Sequence, residues 1–268
     1  MIVFPNAKIN LGLNIIEKRS DGFHNIESCF YPVGWADALE IIPAEAFSFT
    51  SSGIDIPGDP ASNLCVRAYE LLKADFDLPP VKIHLHKVVP IGAGMGGGSS
   101  DCAFTFKLLN ELFELGLTSV QMQEYAAKLG SDCPFFIDNK PVWVTGRGEV
   151  FEAINLDLSG KYIVLAYPNL HVSTGEAYAG ITPQIPQLNA KQVLENEPYD
   201  LWKDKLKNDF EDSILVKYKQ VADLKEYFYL KGAFYASMTG SGSAVFGIFE
   251  EDPNVYLGEG ITSWQGVL

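Results

Sequence analysis

The sequence predicts an α+β protein of two domains, on three observations. A strand-rich opening runs into a glycine loop followed by two helical stretches, a polar break near 157–160 precedes a new strand, and two late strands flank a short Gly-Ser turn. With 268 residues the chain can hold one large domain or two medium ones, each with its own core. The boundary is placed at 158/159, giving domains 1–158 and 159–268.

The opening strand reads Asn6-Ala7-Lys8-Ile9-Asn10-Leu11-Gly12-Leu13-Asn14-Ile15. Ala7, Ile9, Leu11, Leu13 and Ile15 face one way, and Lys8, Asn10 and Asn14 the other. On this segment alone Lys8 reads as an exposed edge-strand lysine. Arg19-Ser20-Asp21-Gly22 has turn composition and leads to an extended stretch over 24–31, so the two stretches form an antiparallel hairpin.

Residues 81–86 alternate apolar and polar, the period of a half-buried strand. They lead to Pro90-Ile91-Gly92-Ala93-Gly94-Met95-Gly96-Gly97-Gly98-Ser99-Ser100-Asp101, and Phe104, Leu108, Leu112 and Leu115 then recur at helical spacing until Gly116. Strand, glycine loop, helix is the order of a phosphate cradle. Bare backbone N–H groups can close around an oxyanion, and the helix start adds unpaired donors and partial positive charge. Ser99 and Ser100 can cap that helix or offer hydroxyls to phosphate or a metal.

Three designs share this order. A P-loop needs Gly-Lys-Ser/Thr at its end, and Gly98 follows Gly97 where the lysine belongs. A dinucleotide site needs Gly-x-Gly-x-x-Gly, which Gly92, Gly94 and Gly97 supply, followed by a second parallel strand; residues 119–129 read instead as a helix. A glycine linker does not sit between a tight strand and an amphipathic helix. Phosphate binding is the reading that survives.

Composition bounds the rest. The chain is 47% hydrophobic and 20% charged, as in ordinary globular proteins, and its net charge of −14 argues against a broad nucleic-acid surface. Binding a polyphosphate then falls to local cations, for which Lys8, Arg19, Arg67, Lys87 and Arg147 are candidates. Cys29, Cys65, Cys102 and Cys133 are widely spaced, which suits thiols in a reducing compartment. The N-terminus has strand alternation rather than a signal-peptide pattern, and no apolar run has membrane-spanning length. The expectation is a cytoplasmic protein with no nucleic-acid or membrane partner, as a monomer or weak homodimer.

The second half shows a strand over 161–167, helical patches over 190–229, and strands over 233–238 and 243–249 joined by Thr239-Gly240-Ser241-Gly242. By itself that joint is a hairpin turn. Asp132, in Gly130-Ser131-Asp132-Cys133-Pro134, is by itself a turn or cap aspartate. Beside a phosphate loop, however, a lysine and an aspartate are what phosphoryl transfer to an alcohol needs: the carboxylate accepts the hydroxyl proton and the cation stabilises developing charge.

Several stretches, in order along nearly the whole chain, resemble the GHMP kinases. They are Ala7-Lys8-Ile9-Asn10-Leu11, Arg19-Ser20-Asp21-Gly22-Phe23-His24, Gly96-Gly97-Gly98-Ser99-Ser100-Asp101, Gly130-Ser131-Asp132-Cys133-Pro134-Phe135-Phe136, Asn208-Asp209-Phe210-Glu211 and Thr239-Gly240-Ser241-Gly242. The resemblance implies an N-terminal domain like ribosomal protein S5 domain 2 and a ferredoxin-like C-terminal domain. It implies ATP as co-substrate, gripped by residues 90–100, with Asn63, Leu64 and Lys87 lining the nucleotide pocket. Asp132 would be the base and Lys8 would orient and activate the acceptor hydroxyl, supported by Asn10, with Gly240 and Ser241 also at the substrate. The implied acceptor is the C2 hydroxyl of the cytidine diphosphate derivative of methylerythritol, a small-molecule substrate of isoprenoid-precursor synthesis. Mg²⁺ would accompany ATP, and its protein ligands are not implied: hydroxyls, Asp132 or water can serve.

The cytidine end has its own physical argument. A pyrimidine offers a face for stacking and an edge for hydrogen bonding, so the adjacent Phe23 and His24 suit it, with Tyr178 as a second aromatic. The family often has tyrosine where this chain has Phe23; Met95 and Cys102 are milder departures. A GHMP kinase with another acceptor would need no such pair, and a silent nucleotide-binding relative would be expected to lack Asp132 or Lys8.

Overall fold

The computed structural model describes all residues, Met1–Leu268, as two compact units that alternate along the chain. Residues 1–7, 35–91 and 96–140 form one; residues 8–34, 92–95 and 141–268 form the other.

In the first unit, Ile2–Val3, Ala38–Pro43, Val81–Lys87 and Ser48–Gly53 make a sheet in that spatial order, antiparallel except for the last pair. Val81, Ile83, Leu85 and Lys87 are buried while Lys82 and His86 are exposed, so the alternation over 81–86 is that of a sheet with one covered face. Helix Leu64–Phe76 starts at Asn63, whose side chain accepts from the Cys65 N–H, and stops at Asp77, in the left-handed region at φ 50°.

The helix after the glycine loop spans Gly97–Leu112, with Gly96 at φ 71° as its cap and no side-chain cap bond. The expected capping by Ser99 or Ser100 therefore does not occur: the helix starts at Gly97, which puts both serines inside its first turn. Its buried face includes Cys102, Ala103, Thr105, Phe106, Leu108 and Leu109; of the expected stripe Leu108 is buried, while Phe104, Leu112 and Leu115 are half-buried. Helix Leu64–Phe76 packs against it and covers small side chains, which a count of large apolar residues does not register. Ser119–Ala127 follows as a helix, closed by a capping box between Thr118 and Gln121, so no parallel strand stands where a dinucleotide fold requires one.

The second unit has two four-stranded sheets. One orders Asn6–Lys18 (from Lys8 onward), His24–Ala36 (to Gly34), Val142–Thr145 and Val150–Glu152; the other orders Tyr235–Met238, Val245–Phe249, Tyr162–Tyr167 and Thr262–Val267. In the second sheet every pair is antiparallel. Helices Thr174–Ala179, Ala190–Asn196, Trp202–Lys205, Glu211–Lys217 and Lys219–Leu230 fill the chain between the strands, and Phe210, Ile214 and Phe228 share a core with Leu13, Ile15, Val164 and Val245. Each such side chain contributes roughly 1.5–3 kcal/mol by leaving water. No helix is long and apolar enough to cross a membrane.

The opening strand corrects one expectation. Lys8 is only 3% exposed and Asn10 only 2%, so the polar face of this strand is as buried as the apolar one and Lys8 is no surface-edge lysine. The strand's local alternation reports two faces, but the polar one is covered by Ser28 of the neighbouring strand and by Thr239, far along the chain.

Candidate active site

Within the first unit, the loop's helix gathers most of the residues expected around a nucleotide. A Cβ at Gly98 would lie 3.9 Å from Leu64 Cδ1, and one at Gly97 would lie 3.0 Å from Lys87 Nζ. Leu64, next to the Asn63 cap, and Lys87 thus meet the first helical turn, the part of a helix whose N–H groups lack intrahelical partners. A side chain at Gly97 would crowd the Lys87 ammonium and Val89.

Lys87 is held by two carboxylates that sequence reasoning did not pick out. Its Nζ donates to Asp37 Oδ2 at 2.5 Å and to Asp101 Oδ2 at 2.7 Å, and all three side chains are almost wholly buried. Asp37 Oδ1 also accepts from the Val88 and Val89 N–H groups at 2.6 and 2.8 Å, fixing the chain where it enters the glycine loop. Burial disfavours the Lys87 charge, but the two carboxylates outweigh it and hold the ammonium pKa above its ordinary value. Burial pushes the Asp101 pKa up to about 7, with Asp37 adding and Lys87 opposing. The signal for this trio was an acid at 37 in an otherwise apolar run, which the pattern alone does not connect to Lys87.

The Gly130–Pro134 turn lies on the same helical turn. A Cβ at Gly130 would come 3.0 Å from Cys133 Sγ and 4.0 Å from Ser99 Oγ. The Cys102 side chain, and after it Ser99, lowers the pKa of the Cys133 thiol against the effect of burial. Asp132, half-buried, therefore stands beside the first turn of the glycine-loop helix. All four cysteines are buried thiols.

Within the second unit, Lys8 and Asn10 join the turn at 239–242. Lys8 Nζ donates to Asn10 Oδ1 at 2.6 Å and lies 4.4 Å from the centre of the Phe30 ring. Asn10 Oδ1 also accepts from the Gly240 N–H at 3.0 Å, and Asn10 Nδ2 donates to Ser28 Oγ at 2.9 Å. Gly94, at φ 82°, packs so closely on Thr239 that a Cβ there would strike the Thr239 carbonyl, while the Met95 carbonyl accepts from the Lys8 N–H at 3.0 Å. The turn is thus a hairpin connection that also braces the glycine loop. Ser241 Oγ lies 3.5 Å from Thr174 Oγ1.

His24 and Tyr178 are also brought together, in a pairing that differs from the expectation. His24 stacks on Tyr178, with centroids 4.5 Å apart and planes 20° apart, while Phe23, 56% exposed, carries the Arg147 guanidinium 4.9 Å above its ring. Tyr178 meets Phe210 edge-on at 4.9 Å. Burial, then Lys18, lowers the His24 pKa, which favours a neutral imidazole with one donor and one acceptor.

Residues 63–140 match the GHMP kinases N terminal domain and residues 190–256 the GHMP kinases C terminal domain. The chain is 52% identical over 257 residues to the 4-diphosphocytidyl-2-C-methyl-D-erythritol kinase of Cytophaga hutchinsonii, covering 96% of this chain and 95% of that protein. It is 49% identical over 259 residues to the kinase of the same name from Bacteroides fragilis, covering 95% and 94%. A crystal structure of 4-(cytidine 5'-diphospho)-2C-methyl-D-erythritol kinase superposes with a TM-score of 0.78 at 28% identity, covering 92% of this chain and 90% of that one. With sequence matches over nearly the full length and the two-domain α+β architecture in common, the chain belongs to the GHMP kinases, in the group of the 4-diphosphocytidyl-2-C-methyl-D-erythritol kinases.

Proposed function

We propose that this kinase transfers the γ-phosphoryl group of ATP to the C2 hydroxyl of 4-diphosphocytidyl-2-C-methyl-D-erythritol, with Asp132 as the base. The observation that carries the reading is the seat of the Asp132 turn on Ser99, at the start of the glycine-loop helix. A carboxylate placed where phosphate would be held can take the proton of an attacking hydroxyl as the O–P bond forms and ADP departs.

The remaining residues divide the work. Residues 90–100 close on the ATP phosphates through backbone N–H groups, and Asn63, Leu64 and Lys87 flank the nucleotide. Lys8 orients the acceptor hydroxyl and favours its alkoxide; Asn10, Gly240 and Ser241 hold the ammonium and the acceptor beside it. Phe23 offers a ring face to the cytosine and His24 a neutral hydrogen-bonding edge, with Tyr178 as the second aromatic, stacked on His24. Domain 1–158 would be the ATP-binding half and 159–268 the C-terminal half, and the two family matches fall on either side of that boundary. Buried thiols suit work in the cytoplasm, and the acidic surface suits a monomer or weak homodimer with no nucleic-acid partner.

Mg²⁺ fits these residues. It takes one or two carboxylates, phosphate oxygens and water rather than a cage of protein ligands, and Asp132 and Ser99 Oγ are oxygen donors at the phosphate end. Bound there, it would neutralise charge on the phosphates.

Asp132→Asn keeps the shape and removes the basicity. Turnover is expected to fall about 10²–10⁴-fold with ATP affinity nearly unchanged; turnover within a few-fold of the parent would remove Asp132 from the role of base.

A further inference from the structure

Asn208 is fully buried, and its carboxamide is bonded to backbone groups at both ends. Oδ1 accepts from the Phe210 N–H at 3.0 Å, while Nδ2 donates to the Met238 carbonyl at 2.7 Å and the Gly240 carbonyl at 2.9 Å. Its neighbours strengthen the grip. Glu211 Oε1 accepts from the Met238 N–H at 2.8 Å and from Ser237 Oγ at 3.1 Å, and Asp209 Oδ2 accepts from the Ile15 N–H at 2.8 Å.

The two carbonyls that Asn208 binds belong to the peptides on either side of the 239–240 peptide. The N–H of that middle peptide is the one that meets Asn10 Oδ1, and the same oxygen receives Lys8 Nζ. The Thr239 hydroxyl also donates to this oxygen, at 3.4 Å, so two of its three donors belong to the turn. If the turn drifts, Asn10 loses the Thr239 and Gly240 donors that keep its oxygen side toward Lys8, and only Ser28 and the ammonium itself still hold the amide. Asparagine suits position 208 because two N–H bonds leave one nitrogen and no charge is buried. An aspartate there would aim a carboxylate oxygen at two carbonyls.

We propose that Asn208 is a positioning residue for phosphoryl transfer, holding the 239–240 peptide so that Asn10 keeps the Lys8 ammonium in its working orientation. The proposal rests on the role given to Lys8 above.

The test is a double-mutant cycle read by single-turnover rate and by ATP affinity, using Asn208→Ala, Lys8→Ala and the pair. The expected result is a rate about 10–100-fold lower for Asn208→Ala with ATP affinity within about twofold, and little or no further loss when it is added to Lys8→Ala. Equal losses in both backgrounds, or no loss in Asn208→Ala, would overturn the proposal while leaving the Lys8 role intact. Parent-like rates in Lys8→Ala would overturn that role, and the proposal with it. If Asn208→Ala does not fold, Asn208→Ser is read by the same criteria, since its hydroxyl can still accept from the Phe210 N–H.

Discussion

Asp101 grips the Lys87 ammonium through Oδ2 alone at 2.7 Å, while its other oxygen, Oδ1, is buried and accepts no hydrogen bond. Asp37, in contrast, uses both oxygens, on Lys87 and on two backbone N–H groups. One ammonium between two buried carboxylates leaves a net negative charge, and the carboxylate with fewer donors is the one that takes a proton.

That asymmetry predicts a pH dependence of stability. The Asp101 pKa rises from an ordinary 3.8 to about 7 on folding, so between those values the folded protein binds more protons than the unfolded chain. Stability from this group is fully present below about pH 4 and is lost as pH rises through 7, by up to about 1.4 kcal/mol per unit. Urea unfolding at pH 5, 6, 7 and 8 should show a downward slope that Asp101→Asn flattens; parallel profiles for the two proteins would contradict the account.

Asp37 should matter more to the fold than its place in the break between strands His24–Ala36 and Ala38–Pro43 suggests. Asp37→Ala leaves the buried Lys87 with one carboxylate and strips the Val88 and Val89 N–H groups of their acceptor. A loss of about 3–5 kcal/mol is expected, since a buried ion pair is being broken from one side. Urea unfolding at pH 8, where Asp101 is ionised, measures it, and a loss under about 1 kcal/mol would remove Asp37 from this role.

The contrast between these residues and the glycine loop shows what a sequence displays. Gly92, Gly94 and Gly96 all have positive φ, a local demand that their identity announces. The strand over 81–86 and the helix after the loop were equally legible, because period and punctuation are local. On its own strand Lys8 reads as an exposed edge lysine because part of the cover on its face comes from Thr239, and the same distance hides the links of Asp37 and Asp101 to Lys87. Asn208-Asp209-Phe210-Glu211 was visible as a motif, yet nothing local says that its first residue holds carbonyls near position 240. Phe23 and His24 were legible as neighbours, whereas the stacking of His24 on Tyr178 depends on how helix Thr174–Ala179 is placed.

The exposed ring of Phe23 gives a test of acceptor recognition that spares the ATP side. Phe23→Ala should raise the KM for the cytidylated acceptor by about 5–150-fold, the range of one base–aromatic stack, with KM for ATP unchanged. An unchanged acceptor KM would remove Phe23 from the cytidine contact.

The most direct measurement is ADP release by the purified protein with Mg-ATP, comparing 4-diphosphocytidyl-2-C-methyl-D-erythritol with galactose, homoserine and mevalonate. The account predicts turnover with the cytidylated alcohol alone. Turnover with one of the other three and none with the cytidylated alcohol would contradict it.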